Sequence, residues 1–302
     1  MRLVSICAGL VGLLTHSTVS GAWYTVVQPL DTIWISAPDK SINASYLPFG
    51  ATQTSVWVND KYGYDNTTTY LDPPSRQVHF TMPSLRVTYT LLNDAVLKIE
   101  INATTDDETP ILLSSHDWWN LDGYHSYDGQ NSSILNHTFY TPDVTSYVAT
   151  DGILIPTGEL PSVDGTPLDF RTTRTIGSEL DDTVDLCGTG CIGYDTCFVR
   201  GYNATESTVA LELYSPASGI KLSVSSEQHA IQLYSCDGLD GSKPAKASQG
   251  GIDGVVYSQY SCAVLEMEGV IDAINNPEWG IDQVYGPDRP YTWSATYNFT
   301  IA

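Results

Sequence analysis

Apolar and polar residues alternate with a period of two along much of this chain. Val87, Tyr89 and Leu91 alternate with Thr88 and Thr90, and Asn93 and Asp94 supply a turn. Leu97, Ile99 and Ile101 then resume the alternation with Lys98 and Glu100 on the other face, which predicts a β-hairpin. The same logic repeats where Val209, Leu211 and Leu213 lead through Ser215-Pro216-Ala217-Ser218-Gly219 into Ile220, Leu222 and Val224. Residues 232–235, 255–265 and 293–301, rich in Tyr, Val and Trp, are further strand candidates. Helical periodicity longer than two turns is scarce. The pattern predicts an all-β protein built as a large antiparallel β-sandwich. No Pro/Gly/Ser linker or shift in composition divides the chain, so residues 23–302 read as a single domain.

Residues 1–22 read as a signal peptide: Arg2 gives the positive start, Leu3 to Leu14 the apolar core, and Ser20 with Ala22 the small-residue cleavage site. The mature chain is then expected to start near Trp23 and to be secreted and extracellular. That apolar run is too short for a permanent membrane helix, and no later stretch reaches the roughly 20 apolar residues required. Seven N-x-S/T sequons, at Asn43, Asn66, Asn102, Asn131, Asn136, Asn203 and Asn298, agree with a secretory route and a glycoprotein. Removal of Cys7 leaves Cys187, Cys191, Cys197, Cys236 and Cys262, an odd number that leaves at least one thiol unpaired within a monomer. Cys187 and Cys191, separated by Gly-Thr-Gly, can close a small loop in an oxidising compartment. A zinc site would want two such pairs, and they are absent, so no metal is expected. The formal charge of -22, from 13 basic and 35 acidic residues, argues against a nucleic-acid partner and an anionic membrane surface. It suits solubility in an acidic external medium.

Candidate chemistry centres on residues 111–171. His116 follows the apolar run Ile111-Leu112-Leu113 and is followed closely by Trp118 and Trp119, an acid/base group beside flat apolar faces. In an extended segment the two indoles point to opposite faces, so at most one meets a ligand and the other is core. Ser115-His116-Asp117-Trp118-Trp119-Asn120-Leu121, Leu135-Asn136-His137, Leu154 to Glu159 and Gly165 to Arg171 occur in this order. The set resembles the aldose 1-epimerase (galactose mutarotase) family, with its N-H-x-Y-F-N-L, N-H-x, L-I-P-T-G-E and G-T-P-x-D-F-R segments. Gly193-Tyr194-Asp195, Gln232 to Gly241, Cys262 to Glu266 and Asp272 to Asn275 extend the resemblance, which covers most of residues 85–302.

The resemblance implies a galactose mutarotase-like supersandwich and interconversion of the α and β anomers of a free hexose such as glucose or galactose. It implies Glu266 as catalytic base, His116 as acid, and Asp195, Trp118 and Asn120 as substrate contacts. Ring opening requires an acid and a base flanking one pyranose, and neither a metal nor an organic cofactor. Plainer readings stand beside these. Glu266 and Glu268 alternate with Leu265 and Met267 as a solvated strand face would. Asp195 fits a turn, and His125 and His137 fit exposed loops.

The N-terminal third departs from the family, and the fold is expected to be incomplete near residues 60–85. Tyr46 to Asn59 resembles the family's opening strand pair, but the arginine-bearing F-G-A-x-x-G-R-x-A-N-R and H-G-G segments are missing. His79 and Arg76 lack the surrounding motifs to replace them. The chain thus resembles a secreted, fungal-type member lacking part of the N-terminal half. Its alternative reading is a secreted, non-catalytic carbohydrate-binding relative. Glycoside hydrolysis by Asp195 and Glu266 is a third.

Overall fold

The computed structural model describes residues 4–7, 31–47, 51–63, 65–67, 69–70, 84–124, 133–201 and 204–302. His79, Arg76 and His125 lie outside them, as do most of residues 1–22 and much of the expected gap near 60–85.

Both predicted hairpins form. Ser84–Leu92 pairs with Val96–Thr104, and Val209–Tyr214 with Ile220–Ser226. The first turn places Asp94 and Ala95 at φ 62° and 56°, and the Asp94 N–H is held by Asp39 Oδ2 at 2.7 Å. An eight-stranded antiparallel sheet runs in the order Val4–Cys7, Ser84–Leu92, Val96–Thr104, Tyr291–Ile301, Ile220–Ser226, Val209–Tyr214, Thr138–Tyr140, Arg174–Thr175. A six-stranded sheet runs Val144–Tyr147, Asp195–Arg200, Ala230–Tyr234, Ala263–Glu268, Trp118–Trp119, Thr69–Tyr70. Ile33–Ser36, Ile42–Leu47, Thr52–Asn59 and Asp65–Thr67 make a separate four-stranded sheet. Helix among the described residues is confined to short 3-10 segments, the longest being Ile176–Thr183. None is long and apolar enough to cross a membrane.

The expected strand over 255–265 divides into Val256–Tyr257 and Ala263–Glu268. Tyr260 adopts φ 58°, a left-handed conformation that ends an extended run, and the Ser261 N–H closes the turn on Ser258 O at 3.1 Å.

Alternation sorts the side chains. Leu97, Ile99, Trp293, Ala295, Tyr297, Phe299, Leu222 and Val224 from the large sheet share one buried cluster with Phe198, Ile231, Leu233, Leu265, Met267 and Trp119 from the six-stranded sheet. Burial of each such large side chain contributes about 1.5–3 kcal/mol. The two sheets also bond directly, Trp293 Nε1 donating to Met267 O at 2.7 Å. Consequently the intervening residues of the six-stranded sheet, Gln232, Tyr234, Glu266 and Glu268, face away from the core.

Two disulfides form. Cys187–Cys191 is the small loop expected from spacing, and Cys236–Cys262 ties the end of Ala230–Tyr234 to the start of Ala263–Glu268. Cys197 remains a buried free thiol, which accounts for the odd count. The second bridge spans 26 residues. Replacing both of its cysteines by alanine is expected to lower unfolding free energy by about 3 kcal/mol, read as a fall in the urea midpoint.

Candidate active site

Three adjacent strands and two irregular segments build an open cleft of about 680 Å³, lined by His116, Asp195, Gln232, Tyr234, Glu266, Glu268 and Ile271. Pairing places Gln232 opposite Glu266 and Asp195 opposite Tyr234, so residues far apart in sequence become neighbours on one sheet face. Asp195 opens its strand directly after Gly193-Tyr194. Gly193 holds φ +148°, where a Cβ would meet Ser235 Oγ at 2.8 Å, so glycine lets the chain pass Ser235 and enter the strand at Asp195. Gln232 Nε2 then donates to Asp195 Oδ1 at 2.6 Å. Burial raises the Asp195 pKa, opposed by that hydrogen bond and raised further by the nearby Glu266 charge.

Glu266 is 14% exposed at its side chain, which removes the solvated-face reading. Ser114 Oγ donates to Glu266 Oε2. Its other oxygen, Oε1, lies 3.7 Å from His116 Nε2, close enough to share a substrate but beyond a direct hydrogen bond. His116 itself is half exposed to the cleft.

The adjoining side chains hold His116 in place. Next to it, Asp117 is buried, accepting from Ser115 Oγ at 2.7 Å and from Gln53 Nε2 at 2.9 Å. Burial raises the Asp117 pKa to about 6. On the other side, Trp118 Nε1 donates to His116 Nδ1 at 2.8 Å. A neutral imidazole has one donor and one acceptor nitrogen, so acceptance at Nδ1 puts the proton on Nε2, the nitrogen facing Glu266.

Not every candidate reaches the cleft. Trp118 packs edge-on to Tyr234 and beside the Cys236, Cys262 and Val264 cluster, and does not line the cleft. Its expected role as a sugar platform is replaced by support of His116, because its N–H and ring are already engaged. Trp119 is the core tryptophan, packed on Tyr297 and Phe299. Asn120 is fully buried, its Nδ2 donating to Ser261 O and its Oδ1 accepting from the Asp122 N–H. The substrate contact expected of Asn120 is therefore corrected to a structural role. His137 is not an exposed loop residue either. It is fully buried, Nε2 accepts from the Leu121 N–H at 3.2 Å, and burial lowers its pKa. Within Gly165 to Arg171, Leu168 and Phe170 enter the core, and Leu154 to Glu159 lies outside the cleft lining. Gln232 and Tyr234, named above only as part of the resembling run, and Glu268, read as a solvated strand face, are cleft residues. Their signal was the parity opposite to Leu233 and Met267.

A family model described as aldose 1-epimerase matches residues 50–298. The chain belongs to the aldose 1-epimerase family. A probable aldose 1-epimerase of Arthroderma benhamiae is 36% identical over 270 aligned residues, covering 80% of this chain and 55% of that protein. Human galactose mutarotase is 30% identical over 217 residues, covering 72% and 57%. The chain thus spans little more than half the length of these curated relatives. The crystal structure of a GalM/aldose epimerase homologue from C. elegans matches the fold with TM-score 0.72 at 21% identity, covering 90% of this chain and 99% of that one. A galactose 1-epimerase structure from Lactobacillus acidophilus matches with TM-score 0.66 at 16% identity, with the same coverage. The family's sandwich fold is therefore present.

The His116 tautomer is directly measurable. In 15N NMR above pH 8, wild-type His116 is expected to carry its proton on Nε2, and Trp118→Phe, which removes the indole donor, is expected to show both tautomers. An Nδ1–H resonance dominating in the wild type would contradict the assigned geometry.

Proposed function

We propose that this cleft interconverts the α and β anomers of a free hexose, glucose or galactose, by acid/base ring opening. The observation that carries this reading is the meeting of Glu266 Oε1 and His116 Nε2, 3.7 Å apart, at one side of a cleft that also presents Asp195 and Gln232.

Glu266 takes the proton of the C1 hydroxyl while His116, in its imidazolium form, gives its Nε2 proton to the ring oxygen, so the C1–ring oxygen bond breaks and the open-chain aldehyde forms. Rotation about C1–C2 turns the carbonyl, and the proton transfers run in reverse on the other face. Only the reverse transfers on ring closure return the two side chains to their starting states, so no co-reactant is consumed over the full cycle. Ser114 leaves Glu266 Oε1 available by engaging Oε2. Asp195, oriented by Gln232, holds sugar hydroxyls. Three carboxyl side chains and no lysine or arginine line the cleft among the described residues, which favours neutral sugars over sugar phosphates.

We also propose a secreted glycoprotein. Asn102, Asn136 and Asn298 are exposed, as glycan acceptors must be. Val4–Cys7 pairs with Ser84–Leu92, so removal of a signal peptide would leave the latter as a sheet edge. Expression through a secretory route is expected to give an N-terminus near Trp23 and a mass that falls on deglycosylation. An intact Met1 and an unchanged mass would refute the proposal.

Polarimetry of freshly dissolved α-glucose and α-galactose tests the enzymatic reading. Wild-type protein is expected to speed equilibration, and Glu266→Gln to lose about a thousandfold in rate. Equilibration no faster than in buffer would remove the activity, and hexose binding in the same preparation would then leave a binding protein.

A further inference from the structure

One ionisable group in the cleft has no part in the chemistry above. Glu268 stands two positions beyond Glu266 on Ala263–Glu268, and so projects from the same face of the sheet. The residue is only 8% exposed, yet no hydrogen bond or ion pair engages its carboxyl among the described residues. Ala230 sits directly across from it, and Cys197, Val199, Val270 and Ile271 form the apolar cluster at that end of the cleft. A carboxyl enclosed in this way, still open to the cleft, lacks the partners that buried polar groups ordinarily have.

We propose that Glu268 contacts the sugar directly, hydrogen-bonding a hydroxyl on the side of the pyranose away from C1. The proposal rests on the mutarotase reading, which assigns C1 to Glu266. Alternate residues of a strand are about 6.6 Å apart, roughly the reach from a C1 hydroxyl across a pyranose ring. The two carboxyls therefore act on different parts of one ring.

Their protonation states differ as this division requires. Burial, reinforced by the Glu266 charge, raises the Glu268 pKa to about 8. At neutral pH Glu268 is accordingly a neutral acid with an O–H to donate and a carbonyl to accept, which matches a sugar hydroxyl. Among the described residues, the other titratable groups around it are Glu266 on its own strand, Cys197 on Asp195–Arg200, Tyr291 on Tyr291–Ile301, and Asp195, Tyr234 and His116 in the cleft. None of these is a permanent cation that would draw the proton off. Above pH 8 the donor is lost and a further negative charge faces the substrate.

The test uses the full chain with Glu268→Gln and Glu268→Ala, measuring mutarotation of α-galactose from pH 6 to 9 and hexose binding by calorimetry. Glu268→Ala is expected to raise KM and Kd about tenfold, with kcat within about threefold of wild type. Glu268→Gln keeps one donor and one acceptor, and is expected to stay within about threefold at pH 7. Wild-type KM is expected to rise as the pH passes 8, and KM of Glu268→Gln to stay level there. Active wild type with unchanged KM and Kd in Glu268→Ala would overturn the proposal, as would a KM rising alike in wild type and Glu268→Gln. If Glu268→Ala does not fold, the Glu268→Gln pH profile decides alone. Wild type that neither binds hexose nor speeds equilibration overturns the mutarotase reading and this proposal together.

Discussion

Everything in the cleft depends on the antiparallel register of three strands, Asp195–Arg200, Ala230–Tyr234 and Ala263–Glu268. With Leu233 opposite Leu265 and Gln232 opposite Glu266, apolar side chains fall on the core side and polar ones on the other. A slip of one residue would drive Glu266 and Glu268 into the sandwich and turn Leu265 and Met267 outward. Burying carboxyls there costs far more than the pairing itself contributes, so core packing and site assembly select the same register. The Cys236–Cys262 bridge and the Trp293 bond to Met267 O hold that register from the end and from below.

His116 is positioned by different means. Residues 111–117 form no regular element, and side chains do what a strand ladder does elsewhere. The Ile111 N–H reaches Gln283 O at 3.1 Å, and Tyr291 Oη accepts from the Leu113 N–H at 3.3 Å. Asp117 is anchored by Gln53 of the separate four-stranded sheet, and Trp118 holds the imidazole itself. That separate sheet thus reaches the site through the buried Gln53 hydrogen bond to the residue after His116.

Crowding of carboxyls sets the electrostatics. Asp195, Glu266 and Glu268 face one cleft in a chain of net charge -22. Full ionisation of all three in a half-buried space is unfavourable, and the raised pKa values of Asp195 and Glu268 relieve it. Hydrogen bonds from Ser114 and Gln232 take up part of the remaining charge.

Much of the fold was legible in the residues alone. Period-two alternation marked both hairpins, because a half-buried strand must alternate wherever it lies. The motif order singled out His116, Asp195 and Glu266, which line one cleft, and the odd cysteine count left one thiol, Cys197. What alternation cannot carry is which face of a strand meets which other strand. For that reason Gln232 and Glu268 looked like any outward residues, Asn120 and Trp118 looked like substrate contacts, and His137 looked exposed. Their roles follow from partners such as Ser261, His116 and Leu121, brought close by chain pairing rather than by local spacing. The sequence by itself determined that the chain makes a β-sandwich and that His116, Asp195 and Glu266 fall within the motifs it shares with its family. Only the tertiary structure decided which side chains share the cleft, because that depends on long-range register, which no local pattern encodes.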